Sequence, residues 1–516
     1  MNIKKTVSYL LAITILLGSM LSLSACSDGI KSNELSKNYT RQVSENVQTD
    51  ADFEKVMSDF SVKLLQNVLN KPQGNDIISP LSAIECLSMI ANGTEGNSRK
   101  QIEETLGVSM DDINKLIYKF NSHTKDTSAS VKIANSLWIR QNSYKIKQSF
   151  LQTNADWYGA QIYEADFNDH QTVKDINNWV KNNTDKMIDK IIEEIPYDTF
   201  MYLINALTFD SEWATKYEKD DIITNKFTSY NGSTTDVEMM FSDEGYLECG
   251  NAQGFRKQYK DDKYSFVGIL PNEGVDIFDY IASLDGNTLL SILNTKTTRT
   301  TRVGIPEFDF EYEIELNNSL KSMGISDIFD DKAANFSSMA ESADNIYCGY
   351  IKQKVKIEVN RKGTKAAAVT WGEMKNGSME PDEILILDRP FMYMILDNQN
   401  NIPLFIGIVT NPNSDGQAFV KKSSDSTQKE KTDLIVTEVS DKVLIAATVG
   451  KDGKMLQNEL YSIPNMFEPT SQIAVGDKLT VVHNGLIQET YPMQFGKIFE
   501  ISYMDSDGYS HAVIID

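Results

Sequence analysis

The sequence predicts a mixed α+β domain built on large sheets, followed by a small all-β domain. Three observations lead there. Between residues 51 and 413, helix-period and strand-period segments interleave without the short regular repeat of a parallel βαβ fold. Residues 414–432, most of "SDGQAFVKKSSDSTQKEKTD", form a Ser/Lys/Asp linker with almost no apolar content. Residues 433–516 then alternate in short strands, with Asp452-Gly453 and Asn484-Gly485 as hairpin signals, which is most simply a small barrel or sandwich. No internal repeat is visible.

Taken in order, the chain opens on a targeting segment. Lys4 and Lys5 precede an apolar run from Val7 to Leu17 that is short for a membrane span, and Leu23-Ser24-Ala25-Cys26 closes it. That tetrad resembles the bacterial lipobox, whose cysteine is diacylated and becomes the new N-terminus. The alternative is an ordinary signal peptide that ends at a cysteine. The expectation is that residues 1–25 are removed as a lipoprotein signal peptide and that Cys26 carries the lipid. Residues 26–50 would then tether the protein to the outer face of the cell membrane, since two acyl chains suffice for stable anchoring.

From Ala51 the pattern turns helical. Phe53, Met57, Phe60, Leu64 and Val68 recur three or four apart until Lys71-Pro72 closes the run. A short strand (Asp76 to Ile78) leads to a helix that Ser79 caps and Pro80 starts, with Leu81, Ile84, Leu87 and Ile90 on one face. A third helix follows Asn97-Ser98 and stops at Gly107. Strand patterns then appear at Val131–Arg140, Met201–Trp213, Tyr264–Pro271 and Thr301–Ile314, with a helical run over Val173–Ile192 between the first two.

Composition narrows the function. With 41% hydrophobic and 24% charged residues the chain can bury a sizeable core, and its net charge of −23 argues against nucleic acid or anionic headgroups as partners. Beyond Cys26 only Cys86, Cys249 and Cys348 remain, none at metal-ligand or redox spacing. The four histidines (His123, His170, His483, His511) form no HExxH, and there is no Gly-x-Ser-x-Gly elbow. No metal, no cofactor and no catalytic activity are expected.

One stretch resists this reading. "KGTKAAAVTWGEMKNGSMEP" (Lys362 to Pro381) joins the strand pattern of Val355–Asn360 to the buried-looking Ile384–Leu396 without the chemistry of a tight turn. Counted by twos it gives Thr364, Ala366, Ala368, Thr370 and Gly372, all small, against Lys365, Ala367, Val369, Trp371 and Glu373 on the other face. No proline occurs between Gly363 and Glu380, as a central strand requires. The bland alternative is a flexible Ala/Gly linker whose alternation is coincidence.

Several stretches in the right order together resemble the serpin family over nearly all of 51–413. They are "NDIISPLSAIECLSMIANGTEGNSRKQIEETLG", "LINALTFDSEW", "VGIPEFDFEYEIELNNSLKSMGISDIFDDKAANFSSMA", "IKQKVKIEVNRKGTKAAAVT" and "DRPFMYMILDNQNNIPLFIGIVTNP". The resemblance implies a serpin fold with large mixed sheets, about nine helices and an exposed reactive loop. It also implies the mechanism, in which a serine or cysteine protease cuts the loop, and the loop inserts into the main sheet and traps the acyl-enzyme. Strand addition of this kind is well known for the family.

By the same resemblance Gly363, Thr364, Ala366, Ala367 and Ala368 are hinge residues, and Ser79, Ser82, Asn205, Gln353 and Trp213 belong to the shutter and breach that govern sheet opening. Counting from Gly363 places the reactive bond at Gly377–Ser378, while other registers point to Met379–Glu380 or Lys375. A glycine there favours an elastase-like or subtilisin-like target. Arg361 and Lys365 are basic where the family is often acidic, and Gln353 stands where many members have a histidine. The C-terminal "VGDKLTVVHNGLIQETYPMQ" resembles a small β domain of unknown function in secreted proteins and lipoproteins of Firmicutes. Together these imply a monomeric, lipid-anchored bacterial protease inhibitor, with a non-inhibitory surface-binding serpin as the alternative and a surface enzyme as the less supported rival.

Overall fold

The computed structural model describes residues 29–39, 42–43, 47–69, 74–127, 130–196, 199–295, 299–341, 346–349, 351–364, 384–414, 430–440, 443–449, 455–464, 473–483, 487–488, 494–495, 498–504 and 510–514. The chain divides into two compact units between residues 418 and 419.

The first unit starts with β1 (Asn33–Glu34), α1 (Phe53–Val68), β2 (Asp76–Ile78), α2 (Pro80–Ala91), α3 (Gly96–Leu106) and α4 (Met110–Thr127). It continues with β3 (Val131–Arg140), α5 (Gln148–Tyr158), β4 (Gln161–Ala165), α6 (His170–Asn183), β5 (Met201–Phe209) and β6 (Ser211–Glu212). Next come β7 (Ile222–Thr228), β8 (Thr234–Glu248), β9 (Ala252–Gln258), β10 (Tyr264–Pro271), α7 (Ile277–Ser283), α8 (Gly286–Asn294), β11 (Thr300–Pro306) and β12 (Phe308–Glu315). The unit closes with α9 (Asn317–Ser322), β13 (Lys352–Asn360), β14 (Gly363–Thr364), β15 (Ile384–Ile386), β16 (Phe391–Asp397) and β17 (Ile402–Val409).

Local chemistry sets the first helices. Asp52 caps α1 by accepting from Lys55 N, and Ser79 Oγ accepts from Ser82 N at the start of α2, with Pro80 in the first turn. The apolar faces of both helices join the main core beneath the sheets. A nine-stranded sheet runs β15-β11-β8-β9-β10-β16-β17-β2, with β7 paired to β8. Two four-stranded sheets, β1-β4-β3-β5 and β12-β13-β14-β6, make the other layer. A second core under α6 packs Trp179 and Ile176 against Trp138 and Tyr202, with Trp138 stacked on Tyr163 at 4.2 Å.

Two expected elements are shorter than their sequence patterns. The helical run over Val173–Ile192 stops at Asn183, because Asp185 and Lys186 take left-handed φ of 48° and 63°. The apolar residues beyond it, Ile188, Ile191 and Ile192, instead line the space beside β5. The strand pattern Thr301–Ile314 splits after Pro306, which lacks a donor, so that β11 pairs with β8 and β12 with β13 in different sheets.

The N-terminal segment is not wholly a free tether. Asn33 and Glu34 pair with Glu164 and Tyr163 on β4, covering that edge, and Leu35 N donates to Ile162 O. Buried Asp175 on α6 holds the turn before them, its Oδ2 accepting from Lys31 N (2.9 Å), Ser32 N (2.6 Å) and Ser32 Oγ (2.7 Å). Charge-assisted bonds to backbone donors overcome the polar composition that reads as linker. An Asp175→Ala protein is expected to lose about 2 kcal/mol of stability. Limited proteolysis should then cut near Lys31 faster than in the parent protein.

The second unit is all β. Its strands are β18 (Glu430–Val439), β19 (Val443–Val449), β20 (Met455–Pro464), β21 (Lys478–His483), β22 (Ile487–Gln488), β23 (Gln494–Phe495), β24 (Ile498–Met504) and β25 (Ser510–Ile514). Six form one antiparallel sheet in the order β20-β19-β18-β21-β24-β25, whose core includes Leu434, Val436, Leu444, Leu479, Val481 and Ile501. Pairing begins at Glu430, inside the stretch expected as linker. The Asp452-Gly453 signal falls between the paired strands β19 and β20. The Asn484-Gly485 signal does not make a hairpin of β21 with β22: both edges of β21 are taken by β18 and β24, and β22 pairs with β23.

Candidate functional site

The site begins where a sheet is left unclosed. Strand β14 is antiparallel to β13 (Thr364 opposite Val359, Gly363 opposite Asn360) and also to β6 (Thr364 opposite Ser211, Gly363 opposite Glu212). Because β6 prolongs β5 past Asp210, β13 and β5 run in the same direction with β14 wedged between them at one end. Beyond Thr364, among the described residues, no backbone pairing joins β5 to β13. A cavity of about 400 Å³ occupies the gap, lined by β5, β13, α2 and the isoleucines after α6. The result is a slot one strand wide, across which β5 and β13 do not pair with each other among the described residues.

Close packing holds the wedge. A Cβ at Gly363 would lie 2.1 Å from Ser211 O and 2.7 Å from Glu212 Cα, so only glycine lets the two backbones approach. Thr364 is buried, and its Oγ1 shares a 2.6 Å hydrogen bond with the Tyr259 hydroxyl. Trp213, 1% exposed, stacks on Tyr259 at 4.6 Å, and its Nε1 donates to Asn360 O at 2.8 Å. Buried Lys257 lies 5.3 Å over the Trp213 ring and 4.5 Å over Tyr217, and its charge is met by Glu244 at 2.6 Å. Arg361 finds an acid as well, forking onto Glu307 with bonds of 2.9 and 3.1 Å.

Polar groups tie the middle of the slot to α2. Gln353 on β13 uses both ends of its amide on Ser79: Oε1 accepts from Ser79 N (2.7 Å) and Nε2 donates to Ser79 O (2.9 Å). On the other wall Ser82 Oγ donates to Asn205 Oδ1. Asn205 Nδ2 in turn donates to Glu85 Oε2 and to Asn135 Oδ1, each at 2.8 Å. Asn135 Nδ2 donates to the same Glu85 oxygen at 2.9 Å. Glu85 is fully buried, and burial pushes its carboxyl up to about 7 against the opposing help of these amides. The folded chain therefore takes up a proton that the unfolded one releases, and the stability this confers is complete below 4.5 and lost as the pH rises through about 7.

The structure thus gathers Ser79, Ser82, Asn205 and Gln353 around one end of α2, and Gly363, Thr364 and Trp213 around the wedge. Ala366, Ala367, Ala368, Lys375, Gly377, Ser378, Met379 and Cys26 lie outside the described residues. Sequence reasoning missed Glu85 and Asn135. The signal for Glu85 was a lone acid inside the apolar helix "PLSAIECLSMIA". Asn135 had no signal beyond being polar in a strand.

A sheet held open by one strand's width, entered at one end by the hinge of a long connection, defines a strand-accepting fold. The chain belongs to the serpin family: residues 55–412 match the family model described as serpin (serine protease inhibitor). Glia-derived nexin of Homo sapiens is 28% identical over 67% of this chain and 90% of its own length. Leukocyte elastase inhibitor of Homo sapiens is 28% identical over 66% of this chain and 94% of its own. Among solved structures, the thermophilic serpin tengpin in its native state is 38% identical with a TM-score of 0.69, covering 74% of this chain and 99% of its own. Serpins are protease inhibitors and not enzymes with catalytic turnover.

Proposed function

We propose that this protein inhibits serine proteases as a suicide substrate at the outer face of a bacterial cell membrane, anchored through Cys26. The target's nucleophile attacks the carbonyl at the reactive bond, Gly377–Ser378 in the favoured register. An ester to Gly377 forms and the new amine at Ser378 leaves. Insertion of the freed loop then carries the acyl-enzyme away before water can hydrolyse it.

The observation that carries this reading is the pairing of β14. Continued without a bulge, its register sets Ala366 between Ile357 and Phe209, Ala368 between Val355 and Leu207, and Thr370 between Gln353 and Asn205. On β13 these partners are the inward-facing residues. The small face of the loop is the face that would enter the core, where only small side chains fit between strands already packed. On the other face Lys365 would come between Glu358 and Asp210, so its positive charge meets two acids.

Elastase-like and subtilisin-like enzymes are the favoured targets, because glycine before the bond suits a shallow primary pocket and a relative bears the name leukocyte elastase inhibitor. The test is incubation with elastase-, subtilisin-, chymotrypsin- and trypsin-like proteases, read by denaturing gel and by mass spectrometry of the released fragment. The expected result is a complex that survives SDS and a fragment beginning at Ser378. Cleavage by every active protease without such a complex overturns the inhibitor and favours the second reading, a non-inhibitory binding serpin.

A further inference from the structure

Glu85 has no part in the trapping scheme above, yet it sits where the sheet is fastened. It lies on α2 directly behind the slot wall, and Asn205 of β5 and Asn135 of β3 both donate to its Oε2. Its other oxygen, Oε1, is buried without a hydrogen-bond partner, and so is Oδ1 of the adjacent Asn121 on α4. The Asn121 amide, like those of Asn135 and Asn205, favours the carboxylate by hydrogen bonding, so three amides oppose the burial that favours the neutral acid. The titratable groups that feel its charge are Cys86 on α2, whose thiol burial and, less, Glu85 push up to about 12, and Tyr158 at the end of α5, whose phenol is raised chiefly by burial and also by Glu85. The groups facing it from β3, β5 and α4 are amides, and no cation offsets it among the described residues.

We propose that Glu85 is a positioning residue that acts as a proton-operated latch on strand entry. Ionised, it holds β5 and β3 onto α2 through charge-assisted bonds from Asn205 and Asn135. Protonated, it keeps only neutral bonds to the sheet, which are about half as strong. Glu85 does not line the cavity, so widening the slot breaks its bond to Asn205 without supplying water in exchange. Losing that bond penalises the charged form most, and strand entry accordingly quickens as the pH falls through the range near 7 set by burial.

This inference rests on the insertion reading, and its test separates the two. The intact protein is incubated with an acetylated synthetic peptide of residues 364–375, which has no group titrating between about pH 6 and 8. Incorporation is followed by native gel and by the gain in thermal midpoint. Entry is expected to be about tenfold faster at pH 6 than at pH 8. In Glu85→Gln, where the amide mimics the protonated acid, it should be fast at both. A wild-type rate that is flat or faster at pH 8, or a Glu85→Gln protein that keeps the wild-type profile, overturns the latch and leaves the inhibitor reading standing. A peptide that enters at neither pH overturns both.

Discussion

Cutting the loop with a protease that escapes trapping is expected to raise the thermal midpoint of the first unit by about 13 °C. About a dozen inserted residues gain backbone bonds on both sides, each worth roughly 0.5–1.5 kcal/mol net, or on the order of 10 kcal/mol together. Unfolding entropy near 2.1 cal/mol/K per residue over about 360 residues converts that gain into the stated shift. Differential scanning calorimetry of cut and uncut protein measures it. An unchanged midpoint after complete cleavage means that the slot between β5 and β13 does not accept the loop, and the protein is then a binding serpin.

The second large effect is expected from Thr364→Arg. Thr364 is 3% exposed, wedged between Val359 and Ser211 with its hydroxyl on Tyr259. Glu212 in the wedge is already met by Lys216 and Lys260, and burying a guanidinium unpaired costs several kcal/mol. Each 1.36 kcal/mol slows entry about tenfold, so hydrolysis of the acyl-enzyme overtakes insertion. The variant should become a substrate, with complex lost and full protease activity recovered after the loop is cut. Ala368→Arg, placed by the same register between Val355 and Leu207, should behave alike without disturbing the wedge. Lys365→Ala, on the face that would meet Glu358 and Asp210, should lower complex yield far less. Retained trapping in both arginine variants contradicts the register.

The two variants also show how far the site could be read in advance. The alternation of small residues after Gly363 is a period-two pattern, which fits a latent strand once the family's insertion mechanism is known. Which face turns inward needed the pairing of Thr364 with Val359 and Ser211, since a shift by one residue exchanges the faces. Ser79, Ser82, Asn205 and Gln353 were identified by resemblance as a group. That Gln353 spends both ends of its amide on the backbone of Ser79 is a matter of distances, not of residue type.

By itself the sequence determined the α+β class of the first unit, its opening run of helices from Phe53 to Leu106, its strands at Val131–Arg140 and Tyr264–Pro271, the all-β character of the second unit and the small-sided residues after Gly363. These follow from local periodicity, caps and turn chemistry, which each segment carries in its own residues. Tertiary structure alone decided that Thr301–Ile314 serves two sheets, that Asn33–Glu34 closes an edge on β4, that β5 and β13 stand a strand apart and that Glu85 is sealed beneath them. Each of these depends on partners far apart in the chain. A backbone donor finds its acceptor, or a carboxyl loses its water, only when the rest of the fold is in place.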